Sequence, residues 1–117
     1  MRIDATFEIT RWEAAPYDEP PDGPASSRIV VAKTYAGPLA GESLAELLTA
    51  GELAYLANER VTATLEGRTG TFVLQHGAWE GGQWGYVVPG SGTGGLAGLR
   101  GTAVLDHGTI ELDYEFS

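Results

Sequence analysis

Alternation with a period of two is the pattern that most restricts what this chain can fold into. In the closing segment Ile110, Leu112, Tyr114 and Phe116 oppose Thr109, Glu111, Asp113 and Glu115, and near the start Ile3, Ala5, Phe7 and Ile9 oppose Asp4, Thr6, Glu8 and Thr10. Side chains separated this way stand on opposite faces only in a strand, so both ends of the chain read as half-buried β-strands. Between them the same signal recurs. Ser27 to Ala36 is β-branched and aromatic, and Tyr55 to Leu65 alternates up to the turn Glu66-Gly67-Arg68-Thr69-Gly70. Thr71 to Trp79, Gln83 to Val88 and Thr102 to Leu105 follow as further short strands. Glycine supports this reading: 17 of 117 residues favour tight turns over long helices, and ten of them lie from Gly77 to Gly101. The expected fold is all-β, a single domain over residues 1–117. It is a closed or nearly closed antiparallel up-and-down barrel of about eight strands, because closure removes exposed edges.

Two stretches fit less simply. Residues 14–26 are rich in proline and acid, cannot sustain a ladder, and read as a long loop and candidate lid anchored by Tyr17. Glu42 to Ala50 has leucines at 44, 47 and 48, a Ser43-x-x-Glu46 capping box and a terminal Gly51, which is a helical pattern. The glycine-rich Gly90 to Gly101 formally contains G-x-G-x-x-G, but with Pro89 before it and glycines after it no nucleotide-binding helix can form there. It reads as a rim loop where the barrel opens.

Charge and composition exclude several functions. Sixteen acids against seven bases give a net charge of -9, which disfavours nucleic acid and anionic membrane surfaces as partners. There are no cysteines, and the two histidines have no metal-ligand spacing, so neither a metal nor a cofactor is expected. No apolar leader opens the chain, and a cytoplasmic location is the default expectation.

The informative residues are charges on otherwise apolar strand faces. Lys33, the single lysine, shares a face with Ile29, Val31 and Tyr35; Glu59 shares one with Tyr55, Ala57, Val61 and Leu65. As a strand residue, Glu46 would alternate with Leu44 and Leu48. Charges inside a barrel must pair, so Lys33, Glu46 and Glu59 are expected to meet there with shifted pKa values.

The stretch Tyr55-x-x-x-Glu59-Arg60-Val61-Thr62-x-Thr64-Leu65-x-Gly67-Arg68-x-Gly70-x-Phe72-Val73-Leu74-Gln75-His76, with Val87 to Gly101, resembles an uncharacterised bacterial family of small proteins with the barrel of allene oxide cyclase. The resemblance implies that Glu42 to Ala50 is a strand, and that the barrel holds a lipocalin-like cavity open at one end. It also implies a function: a cofactor-independent isomerase or cyclase for a small apolar metabolite, or a non-catalytic binder of such a molecule. In that reading Glu59, Glu46 and Tyr55 are the catalytic candidates. Lys33, Tyr35, Gln75, His76, Trp84, Phe7 and Tyr114 contact the substrate, and homo-oligomers form through the outer faces.

Overall fold

The computed structural model describes residues 1–117 as eight strands in one antiparallel sheet. They are β1 (Arg2–Asp18), β2 (Ser26–Ala36), β3 (Leu39–Ala50), β4 (Ala54–Leu65), β5 (Arg68–Trp79), β6 (Gly82–Val87), β7 (Leu99–Asp106) and β8 (Thr109–Phe116), with one 3₁₀ turn at Gly94–Leu96. Each strand pairs with the next, and β1 pairs with β8, so the order runs as a ring. Two hairpins turn on consecutive positive-φ residues, Glu66-Gly67 and His107-Gly108, whose twist matches that of the strands they join.

The expected barrel, regular and lipocalin-like, requires correction, because the ring is closed along only half of its length. β1 meets β8 only over Arg2–Thr6, with one further bond from the Phe7 amide to the Gly108 carbonyl, and then continues to Asp18 with β2 alone beside it. β6 and β7 share a single residue pair, Tyr86 with Thr102. The β7–β8 hairpin is too short to follow the long strands. One half of the molecule is therefore a closed ring and the other a curved sheet open on one side, drawn out to 50 Å along its long axis against 26 and 24 Å across.

The core follows this division. Sixteen buried residues, among them Leu39, Val61, Leu65, Phe72, Leu74, Leu99 and Leu112, fill the closed half with side chains. A second small cluster, Ile29, Val31 and Ala45, lines the open half.

Three further expectations change. The loop expected over 14–26 is confined to residues 19–25, because residues 14–18 extend β1. A bulge at Thr10, between the pairs Ile9↔Lys33 and Arg11↔Ala32, shifts the alternation so that Trp12 faces the open interior. The helical pattern over Glu42 to Ala50 is overridden: β3 pairs on both sides, with β2 and β4, and a helix there would leave two ladders unsatisfied. The glycine-rich segment is not the opening. It crosses the closed end, where Leu96 is fully buried, the Ser91 hydroxyl accepts from the Val73 amide and Thr93 Oγ1 from the Thr71 amide. Gly70 and Gly92 press against backbone carbonyls there, at positions where a Cβ has no room.

Candidate functional site

Glu59 sits in a cross-strand row running Trp12, Val31, Ala45, Glu59, Leu74, Val87. The small Ala45 beside it leaves space that polar side chains from adjacent rows occupy. The carboxylate is fully buried, and each of its oxygens accepts twice. Oε1 takes the Lys33 ammonium at 3.0 Å and His76 Nε2 at 2.8 Å; Oε2 takes the hydroxyls of Tyr35 and Ser43, both at 2.6 Å. With Nε2–H given to Glu59, His76 Nδ1 lies 3.1 Å from the Tyr55 hydroxyl, which extends the chain of bonds toward the open half. Lys33 Nζ also stands 4.4 Å above the centre of the Phe7 ring, a cation–π contact.

These neighbours fix the ionisation of the cluster. Burial alone would raise the Glu59 pKa, but the hydrogen bond from His76, the charge of Lys33 and the Ser43 and Tyr35 hydroxyls outweigh it and bring it down to about 2. Burial and then the Glu59 charge push the Tyr35 phenol well above its ordinary value, and raise that of Tyr55. Near neutral pH, Glu59 is thus a carboxylate, and Tyr35 and Tyr55 are protonated donors.

The cluster forms the floor of a cleft of about 610 Å³ in the open half. Phe7, Ile9 and Trp12 wall it from β1, Ile29 and Val31 from β2, Leu47 from β3, and the β3–β4 and β7–β8 turns rim it. Lys33, Tyr55 and His76 are the polar side chains that reach it from the cluster, whereas Glu59, Tyr35 and Ser43 stand behind them.

Of the candidate residues, Glu59, Lys33, Tyr35, His76, Tyr55 and Phe7 come together here. Glu46 does not: β3 turns Ser43, Ala45 and Leu47 inward, so Glu46 is outside, paired with Arg28 at 2.8 Å, and never meets Lys33 or Glu59. Gln75 and Trp84 also face outward, Gln75 bonded to Asn58 and Tyr86. Tyr114 belongs to the closed end, where its hydroxyl donates to Glu66 at 2.7 Å. Sequence reasoning missed Ser43, which lay within the apparent helix, and Trp12, whose inward turn depends on a bulge that no alternation pattern announces.

No cluster of three or more His, Cys, Asp or Glu residues that could hold a metal ion is present, and no helix is long and apolar enough to cross a membrane. Comparison with curated proteins finds no match. Among solved structures, a protein of unknown function from the DUF3224 family of Shewanella oneidensis MR-1 is similar over 100% of this chain and 98% of its own, at 30% identity and a TM-score of 0.83. The family model for protein of unknown function DUF3224 matches residues 3–117. These matches replace the resemblance to the allene oxide cyclase barrel. They also remove the support for a cyclase or isomerase of apolar metabolites, since that reading rested on the resemblance, and Glu59, its intended acid or base, has every acceptor site occupied and does not reach the cleft. The lipocalin-like apolar binder falls with the regular barrel, because the closed half is filled and the cleft floor is charged. With a family model spanning nearly its whole length, the chain belongs to the DUF3224 family.

Proposed function

We propose that the cleft recognises an amphipathic carboxylate, with the acid group on its polar floor and the hydrocarbon part along the Phe7, Trp12, Ile29 and Leu47 walls. The observation that carries this reading is Lys33. The side chain is only 7% exposed, and its ammonium gives one hydrogen bond to Glu59 and faces the Phe7 ring, and so keeps an N–H for an acceptor arriving in the cleft. Tyr55 also lines the cleft, but its O–H is given to His76 Nδ1, so the donor to the acid group is Lys33. Glu59, Tyr35 and Ser43 act as positioning residues: they hold Lys33 and His76 in place and touch no ligand. A volume of about 610 Å³ suits one small molecule. The charge of -9 and the absence of cysteine support a cytoplasmic setting without nucleic-acid partners.

Trp12 on the cleft wall provides the readout. Decanoate and decanol present the same chain with and without the carboxylate, so titration followed by tryptophan fluorescence and calorimetry separates charge recognition from apolar burial. Decanoate is expected to bind at least about 10-fold more tightly than decanol. Lys33→Met is expected to abolish the difference, since a hydrogen bond to a charged group contributes about 1.5–3 kcal/mol, and 1.4 kcal/mol is a factor of ten. Equal affinities for the two, or a Lys33→Met variant that keeps the preference, would refute the reading.

A further inference from the structure

The outer face of the sheet carries a row of facing residues across six strands: Ala15, Arg28, Leu48, Leu56, Gly77 and Trp84. Beyond the Arg28 stem this row has no charge, and Arg28 is itself paired with Glu46 in the adjacent row. Leu48, Leu56 and Trp84 join Tyr17 and Trp79 around one shallow groove. These five large side chains are between 43% and 63% exposed. A half-exposed side chain of this size leaves roughly 100 Å² in water, so the five leave on the order of 500 Å². Soluble monomers rarely expose contiguous apolar patches larger than a few hundred Å², and a standard interface buries about 800 Å² per partner.

We propose that this face is the interface of a symmetric dimer, with a second copy of the chain as its occupant. Three observations favour that partner. First, the exposed area of these side chains is already more than half of one partner's share of a standard interface, before the surrounding backbone and aliphatic stems are counted. Second, two chains of charge -9 repel one another over most of their surface, and this neutral strip is where they can approach without opposing carboxylates. On one side the strip is bordered by Arg28 and Glu46, whose charges pair with each other, and an apolar strip can be complementary to itself, as a two-fold contact requires. Third, of the two free edges of the open half, that of β1 is protected against strand addition by Pro16, by the charges of Arg11 and Glu13 and by breaks in register at Thr10 and Tyr17, and that of β6 is only the short stretch Gly82–Gly85. That leaves the face, rather than the edges, open to association.

Sedimentation equilibrium of the full chain, without added ligand and over a wide concentration series, tests the proposal. The wild-type protein is expected at twice its 12.3 kDa chain mass and Leu56→Glu at the single-chain mass. Val104→Glu makes the same change at an exposed site on β7, outside the strip, and is expected to remain dimeric. Circular dichroism of each variant verifies that it is folded. A wild-type mass of one chain at every concentration, a dimeric Leu56→Glu, or equal dissociation by Val104→Glu would each overturn the proposal.

Discussion

Glu59 shows how one buried charge can be held by the side chains around it. Four donors from three neighbouring strands converge on it, and the surrounding polar side chains are satisfied as well: no buried side-chain nitrogen or oxygen lacks a partner. Removing its charge while keeping its shape, as in Glu59→Gln, turns one acceptor oxygen into a donor group and leaves the buried Lys33 ammonium without its counter-charge. Breaking a buried pair from one side costs about 3–5 kcal/mol. The unfolding free energy from urea titration is therefore expected to fall by that amount, and Lys33→Met/Glu59→Gln is expected to lose less than the two single changes added together. The pH dependence has a definite sign. The folded pKa of about 2 lies below the ordinary 4.5, so the stabilisation is fully present above pH 4.5 and is lost as pH falls toward 2. At about 1.36 kcal/mol per unit this amounts to roughly 3 kcal/mol. Glu59→Gln is expected to show a flatter stability profile over that interval, and an unchanged profile would mean that other carboxylates dominate the acid limb.

At the scale of elements, β1 behaves as two strands joined by a bulge. Arg2–Ala5 is bonded to β8 alone, Thr6 pairs with both β2 and β8, and Arg11–Asp18 has β2 on one side and an unpaired edge on the other. Amides turned toward that edge have no backbone partner, and the rest of the arm depends on a single ladder and the cleft wall. Hydrogen exchange is expected to be fast at alternate amides of Arg11–Asp18 and slow at Ile3 and Ala5, which are buried and paired with β8, with opening free energies in the arm well below the global value. Uniform protection along β1 would show that the free edge is covered. Elements were also where the sequence was most informative. Alternation located β2, β4, β5, β7 and β8 to within a few residues because each has one face in a core and one in water. It failed at β3, where the residues that would have formed a helix face are divided between the interior and the outer strip. It failed again at β1, where a one-residue bulge reverses inside and outside.

For the molecule as a whole, the residues of the site were more legible than its architecture. The charges that stood out against apolar faces, Lys33 and Glu59, do meet, because a buried ion without a partner is too costly to retain. Glu46 stood out equally and went to the surface, because the sequence does not say which face of β3 turns inward. Nor could local patterning show that closure stops halfway along β1, since that depends on β8 being shorter than the strand it pairs with. The imbalance of 16 acids over seven bases acts at this scale too. The exposed carboxylates repel one another through solvent, whereas the Lys33–Glu59 pair is shielded from salt by the protein around it. Raising ionic strength from 0.01 to about 0.15 M shortens the screening length from about 30 to about 8 Å, which weakens the surface repulsion and leaves the buried pair nearly unchanged. The unfolding midpoint at neutral pH is therefore expected to rise with salt, by a similar increment in wild type and in Glu59→Gln. Measuring the same series in the Leu56→Glu background separates intramolecular repulsion from any effect of salt on association. If stability instead falls with salt, attractive surface pairs such as Arg2–Glu111 and Arg28–Glu46 outweigh the net charge.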